Sequence, residues 1–254
     1  MKTSIITVTY DKDLEFLKYN LKSIKKFCKG YHDNIVIIDD HENDCVETQN
    51  YLDSIGQKYF VNSEAKHVNK GYIRQQYIKL FSDQYVSDDT EYICHVDTDN
   101  IFTSPHDPSV YFKDGLPIVG IQKWTDMSNN KFKQYTDNTV GFKSVYNFMR
   151  RMPLIYHKDL FESLRSCIES NHGDIIEYLN TLETFSEYNT LGAFAYMFQR
   201  DRYYWVDVIN QKALWSELTV PCTQYSNREY TQPHRYVDLS DDNNAIKKIL
   251  NDGD

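Results

Sequence analysis

Long apolar runs are missing from this 254-residue chain: none approaches the roughly 18 consecutive apolar residues that a membrane-spanning helix requires. The opening MKTSIITVTY holds one lysine and a short apolar run that passes at once into charged sequence. It lacks the apolar core and cleavage site of a signal peptide, so a first β-strand is expected there instead. Cysteine is sparse and odd in number, with Cys28, Cys45, Cys94, Cys167 and Cys222 scattered and no CxxC pair. That excludes a structural zinc cluster of common spacing and predicts a reducing, cytoplasmic setting. Positive charge is short as well, 28 Lys and Arg against 37 Asp and Glu for a net charge of −9. With no long basic run, extended contact with nucleic acid or an anionic membrane is disfavoured, although peripheral membrane association stays open. Internal repeats and low-complexity linkers are also lacking, so one domain over residues 1–254 is expected.

Aromatic residues are abundant, with 21 Tyr and 13 Phe. Tyrosine has an apolar body and a polar edge, so a surplus can line a cleft; ordinary core and surface use accounts for most of them equally well. The first hundred residues alternate regularly. SIITVTY and NIVIIDD have the β-branched character of strands, and KYFVN is a shorter one. Between the first two, Leu14, Leu17, Leu21, Ile24 and Phe27 recur at spacings of three and four, which predicts an amphipathic helix. CVETQNYLDSIGQ predicts a short helix closed by Gly56, KGYIRQQYIKLFSDQY a longer one, and EYICHVDTD a fourth strand. A βαβαβαβ series builds a mostly parallel sheet flanked by helices, with ligands bound outside the carboxyl ends of the strands. Three such ends are polar: Thr9–Tyr10–Asp11, Asp39–Asp40 and Asp97–Thr98–Asp99.

Residues 101–254 are less regular. LPIVGIQ and YYWVDVIN predict strands, WTDMSNNKFKQYTDNTVGF a polar loop, and HKDLFESLRSCIESN a helix from near Lys158. Further helices are expected from Asp174, over SEYNTLGAFAYMFQR despite Gly192, and briefly within DLSDDNNAIKKILNDGD.

Aspartates at i and i+2 face opposite sides of a regular strand, but a bend at the strand end lets both approach one divalent cation. Oxygen ligands suit Mg²⁺ or Mn²⁺, and such a cation can bridge a diphosphate and offset charge on it as it leaves. The alternative for DTDN is a polar turn that caps the strand, which Asn100 would also suit.

SIITVTYDKD, NIVIIDD and HVDTDNIF resemble the first strand, second strand and DxD segment of nucleotide-sugar-dependent glycosyltransferases of the GT-A fold. The resemblance covers the first half best and implies a Rossmann-like nucleotide-sugar-binding part over residues 1–100, with an acceptor-side elaboration over 101–254. It implies Thr9 and Tyr10 beside the base, Asp39 or Asp40 on base or ribose, and Asp97 near ribose and metal. Thr98 belongs to the same donor-binding segment, and Asp99 would be the principal ligand of Mn²⁺ or Mg²⁺. GYIRQQYIKL, MRRMPLIYHKDLFESLR and FSEYNTLG resemble, in order, segments of a group of bacterial and viral glycosyltransferase-like proteins; a viral member would work in the host cytoplasm. Arg74 could then bond phosphate and Gln75 the nucleoside or sugar. Ordinary helix-surface roles compete for Arg74 and are preferred for Gln76.

The implied reaction moves a hexose or deoxyhexose from a nucleotide diphosphate sugar, UDP-linked by preference, to a glycan or glycoconjugate hydroxyl. Inversion needs a base for that hydroxyl. Glu187 is the candidate, with helix capping around Ser186 as its alternative and Asp137 and Asp126 as reserves. A retaining enzyme would need no such base. His234 is a candidate third metal ligand or diphosphate contact, by resemblance to carboxyl-terminal histidines of GT-A enzymes; an exposed loop histidine is the alternative. His95 is expected to be structural, supporting the aspartates from behind. Trp124 and Tyr188 are candidates for the acceptor side, Arg150 and Arg151 for the anionic donor with surface solvation as their alternative, and Trp205 for the core. A nucleotidyltransferase is disfavoured because the amino terminus lacks a Gly-rich basic phosphate loop. A non-catalytic nucleotide- or sugar-binding protein is the third possibility.

Overall fold

The computed structural model describes residues 1–40, 45–150, 153–218 and 222–224. His234, Arg151 and the expected carboxyl-terminal helix lie outside the described residues.

The first half follows the alternation: β1 (Thr3–Thr9), α1 (Leu14–Phe27), β2 (Asp33–Asp39), α2 (Val46–Ser54), β3 (Tyr59–Asn62), α3 (Gly71–Leu80) and β4 (Tyr92–His95). Gly56 lies just beyond α2 with φ of 64°, a left-handed turn position that suits glycine. After β4 come β5 (Asn100–Phe102), β6 (Phe112–Lys113), β7 (Leu116–Lys123), α4 (Lys133–Val140), β8 (Tyr146–Asn147) and β9 (Leu154–His157). The chain continues through α5 (Asp159–His172), α6 (Ile175–Asn180), α7 (Glu187–Phe198), β10 (Tyr204–Asp207), α8 (Lys212–Glu217) and β11 (Cys222–Gln224).

The central sheet has the order β3-β2-β1-β4-β9. Its first four strands are parallel and β9 runs antiparallel to β4. This is an α/β fold with a mixed, largely parallel sheet flanked by helices, as the alternation predicted. A second sheet carries β7 between β10, parallel to it, and β6, with β8 also on β7. A short β5–β11 ladder completes the described strands.

All seven residues of β1 are buried, as expected for a strand covered on both faces. Ile6, Val8, Ile35, Ile37 and Ile93 share one core with residues of α3, α5 and α7 and with Val119 and Ile121 of β7. The intervening Ile5, Val36, Ile38 and Cys94 share the other with the expected stripe of α1.

One expectation fails and one element was not anticipated. The segment expected to be a polar loop contains α4, whose buried positions are Thr136, Asp137, Thr139 and Val140. Only one of these is apolar, so no apolar stripe announces the helix. LIYH, unassigned from the sequence, forms β9; its four residues are too few to show a period and follow a proline.

Glycine inside α7 has a packing reason. A Cβ on Gly192 would lie 2.3 Å from Cβ and Cγ of Phe148. Alanine in a helix interior normally gains about 1 kcal/mol over glycine. Overpacking costs about 1–3 kcal/mol or more and should win here. Gly192→Ala should therefore lower the urea midpoint, and an unchanged or raised midpoint would show that Phe148 yields freely.

Candidate functional site

Parallel pairing of β1 with β2 and β4 brings three polar strand ends to one edge of the sheet. At the third, the Val96 amide still bonds Ile6 O at 3.0 Å, and the chain then turns, the Asn100 amide donating to Asp97 O at 3.0 Å. The DTDN segment thus forms a polar turn at the end of the strand, with Asp97 and Asp99 on it. Residues of neighbouring elements hold the turn as well. Asn20 of α1, fully buried, donates to Asp97 O at 3.3 Å and Asn100 O at 2.7 Å. Thr98 Oγ1 donates to Asp13 Oδ2 at 3.3 Å.

Behind Asp97 lies a charge network that was not foreseen. Tyr72, Gln76 and Lys79 fall at i, i+4 and i+7 on one side of α3. Lys79 is 2 % exposed, yet its ammonium sits 2.6 Å from Asp97 Oδ1, 3.1 Å from Glu187 Oε1 and 3.0 Å from the Tyr188 hydroxyl. Tyr188 donates onward to Asp97 Oδ1 at 3.4 Å. Burial works against the ammonium, but Asp97, Glu187 and Tyr188 outweigh it and hold its pKa well above the ordinary value.

Glu187 is 0 % exposed. Burial pushes its carboxyl up from 4.5 to about 7, against the pull of Lys79 and with a push from Asp97. The Gln76 side-chain amide lies against this carboxylate and satisfies it when its nitrogen is the end turned toward Glu187. Gln76 is 4 % exposed, so the preferred helix-surface role for it is corrected. Ser186 caps α7 by accepting the Asn189 amide at 3.3 Å, which is the capping arrangement considered for this segment. A base must be reached by an acceptor hydroxyl, and the burial of Glu187 closes that route. Tyr188, 3 % exposed, likewise stands behind Asp97 and offers no face to an acceptor.

At the second strand end, Asp39 is buried and accepts from Arg74 Nε at 2.8 Å. Arg74, 9 % exposed, also reaches Val68 O at 3.4 Å. The guanidinium expected on phosphate thus braces Asp39. Thr9 is buried, whereas Tyr10, Asp40, Gln75, Asp97 and Asp99 are half-buried and reach the surface at this edge or on α3 beside it. Asp99 Oδ1 accepts from Asn100 Nδ2 at 3.0 Å. Tyr72, 48 % exposed, is a further aromatic on the site-facing side of α3.

Several expected residues have other duties. Trp124 is 2 % exposed with Nε1 3.4 Å from Ser144 Oγ, so it is core and no stacking wall. Asp137 is buried in α4, 2.7 Å from Lys133 Nζ and accepting the Ser144 amide at 2.7 Å, which makes it a local brace. Arg150 donates to Gln122 Oε1 of β7 at 2.7 Å. Trp205 packs half-buried against the core with Nε1 on Arg200 O at 2.8 Å. His95 is buried with Ser82 Oγ 2.7 Å from Nε2; burial, then Lys79, holds its pKa well below the usual value.

Among the described residues, no group of three or more His, Cys, Asp or Glu is arranged to hold a metal. The half-buried pair Asp97 and Asp99 offers hard oxygen ligands, the chemistry Mg²⁺ and Mn²⁺ favour. No described helix is long and apolar enough to cross a membrane.

No protein-family model matches the chain, and no curated protein does. Among solved structures, the apo-form glycosyltransferase GlyE of Streptococcus pneumoniae TIGR4 aligns with 98 % of this chain at 12 % identity and a TM-score of 0.46. The chain spans 60 % of that structure's length, and a likeness this slight carries no argument about function.

Removing the Lys79 ammonium leaves buried Glu187 without its cation, facing the half-buried carboxylate of Asp97. Lys79→Met should cost about 3–5 kcal/mol, most of it recovered in Lys79→Met/Glu187→Gln. Denaturant titration of both variants checks this. Because the folded-state pKa of Glu187 is raised, its contribution to stability is full below pH 4.5 and lost as pH rises through about 7. Glu187→Gln should flatten the stability profile across that interval, and an unchanged slope would show that Glu187 titrates normally.

Proposed function

We propose that this chain is a metal-dependent glycosyltransferase of GT-A type, taking a hexose or deoxyhexose from a nucleotide diphosphate sugar to a glycan or glycoconjugate hydroxyl. UDP-sugars are the first donors to try. The observation that carries the reading is the turn at Asp97–Asn100, fixed by Lys79 and Asn20 at the edge where three polar strand ends meet. Asp97 and Asp99 would hold Mn²⁺ or Mg²⁺, which supplies positive charge to a departing diphosphate on a strongly acidic chain. Tyr10, Asp40 and Gln75 are assigned to the nucleoside and sugar, with Asp39 and Arg74 as the brace beneath them. Glu187 acts in this reading as a positioning residue: it holds Lys79, and Lys79 holds Asp97.

That assignment alters the expected stereochemistry. Inversion was favoured because Glu187 could take the acceptor proton, and its carboxylate is enclosed. Inversion would then fall to the exposed reserve Asp126, and retention by front-face substitution, which needs no protein base, stands beside it as the second outcome. In the latter, the acceptor oxygen bonds the anomeric carbon, the bond from that carbon to the diphosphate oxygen breaks, and the acceptor proton passes to the departing phosphate.

Incubation with a panel of nucleotide sugars should release nucleoside diphosphate only when Mn²⁺ or Mg²⁺ is present, and EDTA should abolish it. Asp99→Ala should lower the rate about a hundredfold or more if the cation contributes several kcal/mol. The anomeric proton coupling of the product reports retention or inversion. No turnover of any donor, together with nucleotide binding indifferent to Asp99→Ala, would sink the proposal.

A further inference from the structure

Two exposed apolar side chains border the start of α7. One is Tyr72 of α3, 48 % exposed, and the other is Met149 just beyond β8, 40 % exposed. Single exposed apolar residues are common, and Phe60 on β3 or Ile209 after β10 call for no explanation. Tyr72 and Met149 differ because both meet the same polar floor. Tyr72 stands one turn before Gln76 on α3, and the Gln76 side chain lies against Glu187. Met149 meets the preceding residue, Ser186 Oγ donating to its Sδ at 3.9 Å. Glu187 is in turn 3.1 Å from the Lys79 ammonium, which is 2.6 Å from Asp97.

The supports beneath both side chains are fixed. Ahead of α3, the Asn69 amide donates to Asn180 Oδ1 at 2.8 Å, and Asn180 Nδ2 donates to His67 O at 2.9 Å. Lys70 Nζ donates to Leu182 O. Beside Met149, the Phe148 amide donates to Asn189 Oδ1 of α7 at 2.9 Å, and the Met149 amide to Asn147 Oδ1 at 3.0 Å. Side chains on such supports can select a ligand by shape without first being ordered.

The Tyr72 hydroxyl makes no hydrogen bond to another described residue, yet it lies in the field of Glu187, Lys79 and Asp97. Burial of that end, then the Glu187 carboxylate, pushes its pKa up, so it stays protonated and able to donate. An open aromatic face with a donor at its rim matches a pyranose, whose C–H face packs on a ring while a hydroxyl accepts at the edge. The Met149 thioether adds a pliable apolar contact.

A nucleobase is flat as well, but its assigned place is elsewhere on this edge. Tyr10 and Asp40 follow β1 and β2, whereas β4 lies on the other side of β1. A nucleotide sugar laid from those ends across Asp97 carries its sugar beyond the diphosphate, toward α7.

We propose that Tyr72 determines which sugar the chain accepts: its ring carries the C–H face of the transferred sugar, its hydroxyl bonds a sugar hydroxyl, and Met149 borders the same subsite. The assignment rests on the glycosyltransferase reading.

Calorimetry on the full chain with Mn²⁺ separates a sugar contact from a nucleotide contact. UDP-glucose, UDP-galactose and GDP-fucose are compared with bare UDP and GDP. Tyr72→Ala should weaken the bound nucleotide sugar about tenfold and leave the matching nucleoside diphosphate within about twofold. Tyr72→Phe, which keeps the ring, should lose about threefold on the nucleotide sugar. Met149→Ala should likewise weaken the nucleotide sugar and spare the diphosphate. Urea midpoints should stay near the parent's, because both side chains are exposed. If the parent binds no nucleotide sugar, the glycosyltransferase reading falls and this assignment with it. If the parent binds one but Tyr72→Ala weakens nucleotide sugar and diphosphate alike, or weakens neither, the assignment alone is overturned.

Discussion

A single ammonium, that of Lys79, ties the two halves of the chain together at the candidate site. It comes from α3 in the first half and meets Asp97 at the end of β4, but it also meets Glu187 and Tyr188 at the start of α7. A buried charge is tolerable only when paired and hydrogen-bonded, and here every partner is supplied by another element. The placement of α7 then follows. Ser186 must cap it, Glu187 must face Lys79, and Gly192 must let Phe148 approach closely. A second buried pair, Arg74 with Asp39, uses the same helix to brace the neighbouring strand end.

The network also separates two kinds of acidic residue. Glu187 is enclosed and drives the packing, whereas Asp97 and Asp99 reach the surface at the sheet edge. Burial is the largest cause of the difference: one carboxyl is pushed toward neutrality against the pull of Lys79, and the others can meet a cation or a polar ligand.

Much of the architecture was legible because it depends on period. The stripe of α1 and the apolar cores of β1, β2 and β4 announce themselves, and their alternation dictates a parallel sheet with polar ends on one edge. What escaped was set by contacts between elements. Lys79 stands within the apolar run YIKLF, where a lysine is unexpected, but only the folded chain shows Asp97 and Glu187 waiting for it. The available clue was its helical register with Gln76 and Tyr72. Asn20 gave still less sign, being one polar residue in the stripe of α1. Trp124 was misjudged because a tryptophan among polar neighbours suggests a cleft wall, while its indole packs inward. Polar α4 and four-residue β9 are held by the surfaces they cover, and neither has a period of its own.

The antiparallel strand β9 gives the site a particular mechanical standing. By pairing along the whole of β4, from Tyr92 opposite His157 to His95 opposite Leu154, it makes β4 an interior strand. Backbone at a sheet margin frays at little cost, whereas an interior strand opens only with its neighbours on both sides. The Asp97–Asn100 turn hangs from such a strand. Amide exchange at its root should therefore be governed by cooperative opening of the sheet, and the backbone that carries Asp97 and Asp99 is anchored as firmly as β4 itself.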